Sequence, residues 1–200
     1  MRYPVLLVIA ATALCSSGAQ ERQRPVASGR LTSNALNLSF DVTNEKNAGD
    51  VLTITVGQGL ERKRVYRDAA GEYVYLAPVS EDESSFIVVW SGASGYKTKI
   101  LAVATPRTGT TEIAVELNVM GKGFPTLLRA GAEQTPFVLV PNASGVGNVI
   151  DVVDIYALHH GRFKFEGRVP DRRSLASVQQ VAADFDQAAA KDRLGTTVHP

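Results

Sequence analysis

Apolar and polar residues alternate with a period of two through most of the chain. The alternation is clearest over residues 36–42 and 112–119, and it predicts strands with one buried and one solvent-exposed face. Phe86 to Trp90 is apolar at every position, which predicts a strand covered on both faces. The pattern predicts about ten strands, over residues 36–42, 52–56, 64–66, 73–76, 86–90, 99–104, 113–119, 137–140, 149–155 and 162–169.

Short turns rich in Gly, Pro and Asn separate these strands. Strands at such short spacing predict an antiparallel β-sandwich, or a partly open barrel, over residues 31–170. The segment 68–71, Asp-Ala-Ala-Gly, has the composition of a turn that joins two strands as a hairpin. We therefore expect a mainly β protein.

The period changes to that of a helix after residue 171. Over 174–194 the apolar residues fall on one helical face, which predicts an amphipathic C-terminal helix. Two roles are open for this helix: a lid packed on the sandwich, or a surface for a partner or a second copy. In the second role Leu175, Val178 and Phe185 would make the contact.

The first residues have the pattern of an export signal. Arg2 precedes an apolar run over 5–14, and Ser17 and Ala19 are the small residues that a signal peptidase requires. We expect cleavage after residue 19, a flexible leader over 20–30, the β-domain over 31–170, the helical segment 171–195 and a tail over 196–200. The predicted location is periplasmic or extracellular.

Charge and cysteine content limit the function classes. The chain has 21 basic and 20 acidic residues, and loss of Arg2 with the signal peptide balances the charges. Such a balance does not favour nucleic-acid binding. The single cysteine, Cys15, would leave with the signal peptide, so the mature chain would form no internal disulfide. The apolar run is also too short for a transmembrane helix.

One cluster has side chains that bind metals elsewhere. Asp151, Asp154, His159 and His160 offer two carboxylates and two imidazoles within ten residues. Residues three apart on a strand point to opposite faces, however, and the established metal-site spacings are absent. We expect no metal and no cofactor, with these four residues as the candidates if a metal binds.

A basic stretch offers a candidate binding surface. Arg62, Arg64 and Arg67, with Tyr66 among them, suit an acidic partner or a polyanionic sugar, although such runs also protect strand edges. The segment 92–95, Gly-Ala-Ser-Gly, does not match the spacing of a nucleophile elbow. The sequence therefore favours a non-enzymatic module that binds another envelope or extracellular protein. A hydrolase of envelope polymers and a carrier of a small apolar ligand are the alternatives.

Overall fold

Three antiparallel sheets and one C-terminal helix form a stack of four layers. The computed structural model describes residues 24–33, 36–57, 61–79, 84–104, 111–145, 149–159 and 161–195. The predicted signal peptide and the tail 196–200 lie outside these residues. The mainly β sandwich architecture with one C-terminal helix is confirmed, with twelve strands in the described residues rather than about ten.

Sheet A contains the first four strands in chain order: β1 (Arg24–Ser33), β2 (Leu36–Glu45), β3 (Gly49–Val56) and β4 (Lys63–Asp68). Each strand pairs with the next one along the chain. The sheet is therefore a meander, and β1 and β4 are its edges.

Sheet B repeats this arrangement with the next four strands: β5 (Glu72–Pro78), β6 (Ser85–Gly92), β7 (Gly95–Ala104) and β8 (Glu112–Gly121). Strands β6 and β7 form a tight hairpin in which Gly92 pairs with Gly95. Strands β5 and β8 are the edges.

Sheet C contains the last four strands: β9 (Thr126–Ala130), β10 (Thr135–Asn142), β11 (Val152–His159) and β12 (Arg162–Pro170). A short 3-10 turn follows, and the helix α1 (Ser174–Gly195) ends the described chain.

Strand β6 determines the order of the layers because both of its faces are buried. Phe86, Val88 and Trp90 belong to the apolar cluster between sheets A and B. Ile87 and Val89 belong to the cluster between sheets B and C. Sheet B is therefore the middle sheet, and the prediction of a strand covered on both faces is confirmed.

Helix α1 covers the face of sheet C that points away from sheet B. Val178 and Ala182 are buried there, with Phe185 packed beside them. Leu175 lies at the start of the helix and is 63% exposed. Within the described part of the chain, no helix has the length and hydropathy that crossing a bilayer requires.

Strand β1 lies where the sequence predicted a flexible leader, and that prediction is wrong from Arg24 onward. Its inward face consists of Ala27, Gly29 and Leu31, two of which are too small to give a hydrophobic period. The ring of Phe40 lies against Gly29, and a Cβ at this glycine would be 2.7 Å from Cε1 of that ring. A large neighbour therefore supplies the apolar bulk that β1 lacks.

The connection over residues 68–71 was predicted as a hairpin turn, and this is also wrong. It carries the chain from β4 in sheet A to β5 in sheet B. Gly71 has φ +142, and a Cβ there would lie 2.2 Å from the Ser91 carbonyl oxygen. Only glycine therefore allows the chain to enter sheet B so close to β6.

Five of the six edge strands in the described residues carry a β-bulge, while the sixth, β9, has only five residues. In each case the edge strand has one more residue than its neighbour at the shift in register. The extra residues are Val26, Val65, Val74, Glu116 and Glu166. Bulges twist an edge and interrupt its hydrogen-bonding row, so these edges are poor templates for an additional strand.

The packing of α1 predicts a difference between two positions of the same helix. We expect Val178→Asp to lower the free energy of unfolding by more than about 3 kcal/mol, because it places a charge in the interface with sheet C. Leu175→Asp is the control and should change it by less than about 0.5 kcal/mol. Urea unfolding of both variants measures this. Equal stabilities would contradict the packing.

Candidate functional site

The face of sheet A that points away from sheet B is the first candidate surface; we call it the outer face. Leu38, Phe40 and Val42 point inward from β2, so the alternate residues Ser39, Asp41 and Thr43 point outward. The side chains of Arg62 and Asp41 on this face remain 44% and 48% exposed. No described element packs against it.

Strand pairing places polar residues of the outer face in two rows that cross all four strands. One row contains Arg30, Ser39, Thr55 and Arg64. The next row contains Ser28, Asp41, Thr53 and Arg67. Each row therefore has an arginine at the β4 edge, and the first row has a second arginine at the β1 edge.

Arg62 extends over the centre of the first row. Its guanidinium donates to the hydroxyls of Ser39 and Thr55 and forms a 3.4 Å ion pair with Asp41. Arg67 forms a 2.8 Å ion pair with Glu45. The structure thus brings Arg62 and Arg67 onto one face, together with Arg64.

Tyr66 does not belong to this face. It pairs with Ile54 and points inward, where it packs against the core between sheets A and B. Burial and the neighbouring Asp68 carboxylate raise the pKa of its phenol well above the usual value. The bulge at Val65 reverses the alternation along β4, which explains how Arg64 and Arg67 can share a face.

A second surface lies where the chain crosses from sheet B to sheet C. Phe124 stands in this crossover and is 44% exposed. Its ring lies 5.5 Å from that of Tyr75 and 5.4 Å from that of Tyr96, between strands β5 and β7. Burial raises the pKa of the Tyr75 phenol, so Tyr75 stays neutral. We call these three residues with Ile150 the aromatic corner.

The backbone of the crossover is fixed in place. The amides of Lys122 and Gly123 both donate to the Pro141 carbonyl on β10, at 2.9 and 3.1 Å. A Cβ at Gly123 would be 2.8 Å from Pro141 and 2.9 Å from Ile150 Cδ1. Because glycine leaves this space free, Ile150 approaches the crossover at Gly123 while remaining 42% exposed.

Sequence reasoning missed the aromatic corner. The available signal was Phe124 between Gly123 and Pro125, an aromatic residue in a turn where polar residues are usual. The contacts with Tyr75 and Tyr96 depend on the topology of sheet B, which the sequence pattern does not determine.

The residues proposed as metal ligands have separate structural roles. Arg168 donates to the buried carboxylate of Asp154 at 2.6 and 2.8 Å, and Asn142 donates to it at 3.1 Å. Asp151 lies outside the strand and accepts hydrogen bonds from the backbone and hydroxyl of Ser144. These partners lower the pKa of both carboxyls.

His159, from the same set, lies against the helix. Its ring stacks on that of Phe185, with centroids 4.5 Å apart. His160 lies outside the described residues. Among the residues that the structure describes, no group of three or more His, Cys, Asp or Glu side chains could hold a metal ion.

The three helix residues proposed for partner binding do not form one surface. Val178 is buried against sheet C, and Phe185 packs on His159. Leu175 is the exposed one. The helix therefore packs on sheet C through Val178 and Phe185, and these two apolar side chains are not free to form an oligomerisation surface.

Comparison of the chain with protein-family models, with curated proteins and with solved structures gives no match.

The Asp154–Arg168 pair predicts a pH-dependent contribution to stability. Arg168 lowers the pKa of Asp154 in the folded state, so the pair stabilises the fold above the unfolded-state pKa, about 3.9, and the contribution is lost as the pH falls through the folded-state pKa. We expect Asp154→Asn to cost about 1 to 2 kcal/mol at pH 7, a value reduced by solvent screening because Arg168 is half exposed.

Urea unfolding of Asp154→Asn and the unchanged protein between pH 2 and pH 7 measures this difference. Asp171→Asn, at an exposed position, is the control. A stability difference that persists unchanged down to pH 2 would contradict the assignment.

Proposed function

We propose that the protein is an exported, non-enzymatic binding module that contacts another envelope or extracellular protein through the aromatic corner. The observation that carries the proposal is the exposed ring of Phe124, held between Tyr75 and Tyr96. Export itself rests on the sequence of residues 1–19.

An exposed aromatic residue with apolar neighbours is typical of a binding surface. Partially exposed apolar patches with a polar surround often mark protein interfaces, and aromatic residues are enriched at interface centres. Phe124 and Ile150 are both more than one third exposed, and Ile150 lies against Gly123, the residue that precedes Phe124. Burial of both by a partner would remove their apolar surface from water.

The rigidity of the corner also supports the proposal. Two backbone hydrogen bonds to Pro141 fix the crossover, and two tyrosine rings support Phe124. A surface that is ordered before binding loses little conformational entropy on association. Since most edge strands carry bulges, we expect recognition through side chains rather than strand addition.

Site-specific photo-crosslinking in the native organism tests the proposal. We expect benzoylphenylalanine at position 124 to give one discrete protein adduct after irradiation. The same residue at position 175 is the control, because Leu175 is also an exposed apolar side chain but lies on α1, outside the aromatic corner. The readout is the molecular mass of the adduct on a denaturing gel, followed by mass spectrometry.

Phe124→Ser gives a second measurement. We expect it to abolish binding to the captured protein while changing the free energy of unfolding by less than about 1 kcal/mol, because Phe124 is partly exposed. Absence of an adduct at position 124, or the same adduct at both positions, would overturn the proposal.

A further inference from the structure

The outer face of sheet A combines positive charge with a high density of hydroxyl groups. Its side chains include four arginines (Arg30, Arg62, Arg64, Arg67), two acids (Asp41, Glu45) and five hydroxyl residues (Ser28, Ser39, Thr43, Thr53, Thr55). The arginines outnumber the acids, so the face carries a formal positive charge in a chain of balanced charge. This composition suits a ligand that has both anionic groups and hydroxyls.

Two of the four arginines are available for a ligand. Arg62 and Arg67 are paired with acids of the same face. Arg30 and Arg64 are exposed, and neither forms an ion pair or a hydrogen bond within the described chain. They stand at opposite ends of one row, three strand spacings or about 14 Å apart.

Hydroxyl groups occupy the positions between these two arginines. Ser39 and Thr55 hydrogen-bond to each other at 2.9 Å, and Arg62 donates to both. A hydroxyl both donates and accepts, so this row can pair with the hydroxyls of a sugar ring. A guanidinium binds a carboxylate with two parallel hydrogen bonds. The row therefore has two hydroxyls between two guanidinium groups, which complement the hydroxyls and carboxylates of a sugar-acid polymer.

Other linear anions fit this face less well. Single-stranded nucleic acids need aromatic side chains on which bases stack, and the aromatic residues of β2 and β4, Phe40 and Tyr66, both point inward. An extended acidic peptide would bind by adding a strand to a sheet edge. Both edge strands of sheet A carry bulges, at Val26 and Val65.

We propose that the outer face of sheet A binds a linear anionic polysaccharide. Arg30 and Arg64 hold carboxylates of the polymer, and the cluster of Arg62, Ser39 and Thr55 between them contacts its hydroxyls. The exposed arginines at both edges of the sheet allow the polymer to lie across the strands. This site is separate from the aromatic corner and does not depend on the function proposed for it.

Affinity electrophoresis with polygalacturonate tests the proposal, with neutral dextran and poly-L-glutamate as comparison polymers. We expect polygalacturonate to retard the protein and dextran to leave it unretarded. Arg30→Glu/Arg64→Glu should weaken polygalacturonate binding by about tenfold or more, since two charge-assisted contacts become repulsive. Arg172→Glu/Arg173→Glu is the matched control, with the same charge change at exposed positions of the 3-10 turn.

Two further variants separate sugar recognition from simple charge attraction. Arg30→Lys/Arg64→Lys keeps the charge but loses the planar fork, and Ser39→Ala/Thr55→Ala removes the hydroxyls. Both should weaken polygalacturonate binding, whereas Phe124→Ser should leave it unchanged. Circular dichroism confirms that each variant is folded.

Three results would overturn the proposal: no retardation by polygalacturonate, equal retardation by poly-L-glutamate, or an equal loss of binding in the Arg172/Arg173 control. None of them bears on the aromatic corner, whose crosslinking test is independent.

Discussion

Burial of sheet B on both faces is the constraint on which the rest of the structure depends. An apolar run such as Phe86–Trp90 requires cover on two sides, which sheets A and C supply. Sheet C then has its own second apolar face, which α1 covers. Sheet A has no such requirement because its outer side chains are mostly polar, and the stack can end there. The buried ion pair between Lys99 on β7 and Asp68 on β4, at 2.7 Å, joins sheets A and B.

The same constraint places the two candidate surfaces. A stack of sheets must pass the chain from one layer to the next, and the second crossover places Phe124 over sheet B at the boundary with sheet C. A stack must also have an outermost sheet, and here it is the one that carries the arginine rows. Because bulges make the strand edges poor partners for an added strand, loops and sheet faces are the surfaces that remain for recognition.

The sequence pattern predicted most strands because inward and outward residues differ strongly in polarity. It failed for β1, whose inward Gly29 makes room for Phe40, and for β9, which is short. It placed the start of β11 too early, since Val149 and Ile150 belong to an exposed loop. Arg62, Arg64 and Arg67 could be grouped because they are close in sequence. Arg30 and the aromatic corner could not, since their neighbours come from distant parts of the chain and depend on strand order.

Every strand of the described chain pairs only with strands adjacent to it in sequence. Such pairing keeps loop-closure entropy low, which favours fast formation of each meander. Assembly of the layers has a different character, since β6 stays exposed to water until the sheets on either side of it dock. Sheet C is synthesised after sheets A and B. In a nascent chain, the apolar face of sheet B that sheet C will cover therefore stays exposed until the C-terminal part emerges. A cell that produces this protein therefore has reason to protect that face during synthesis.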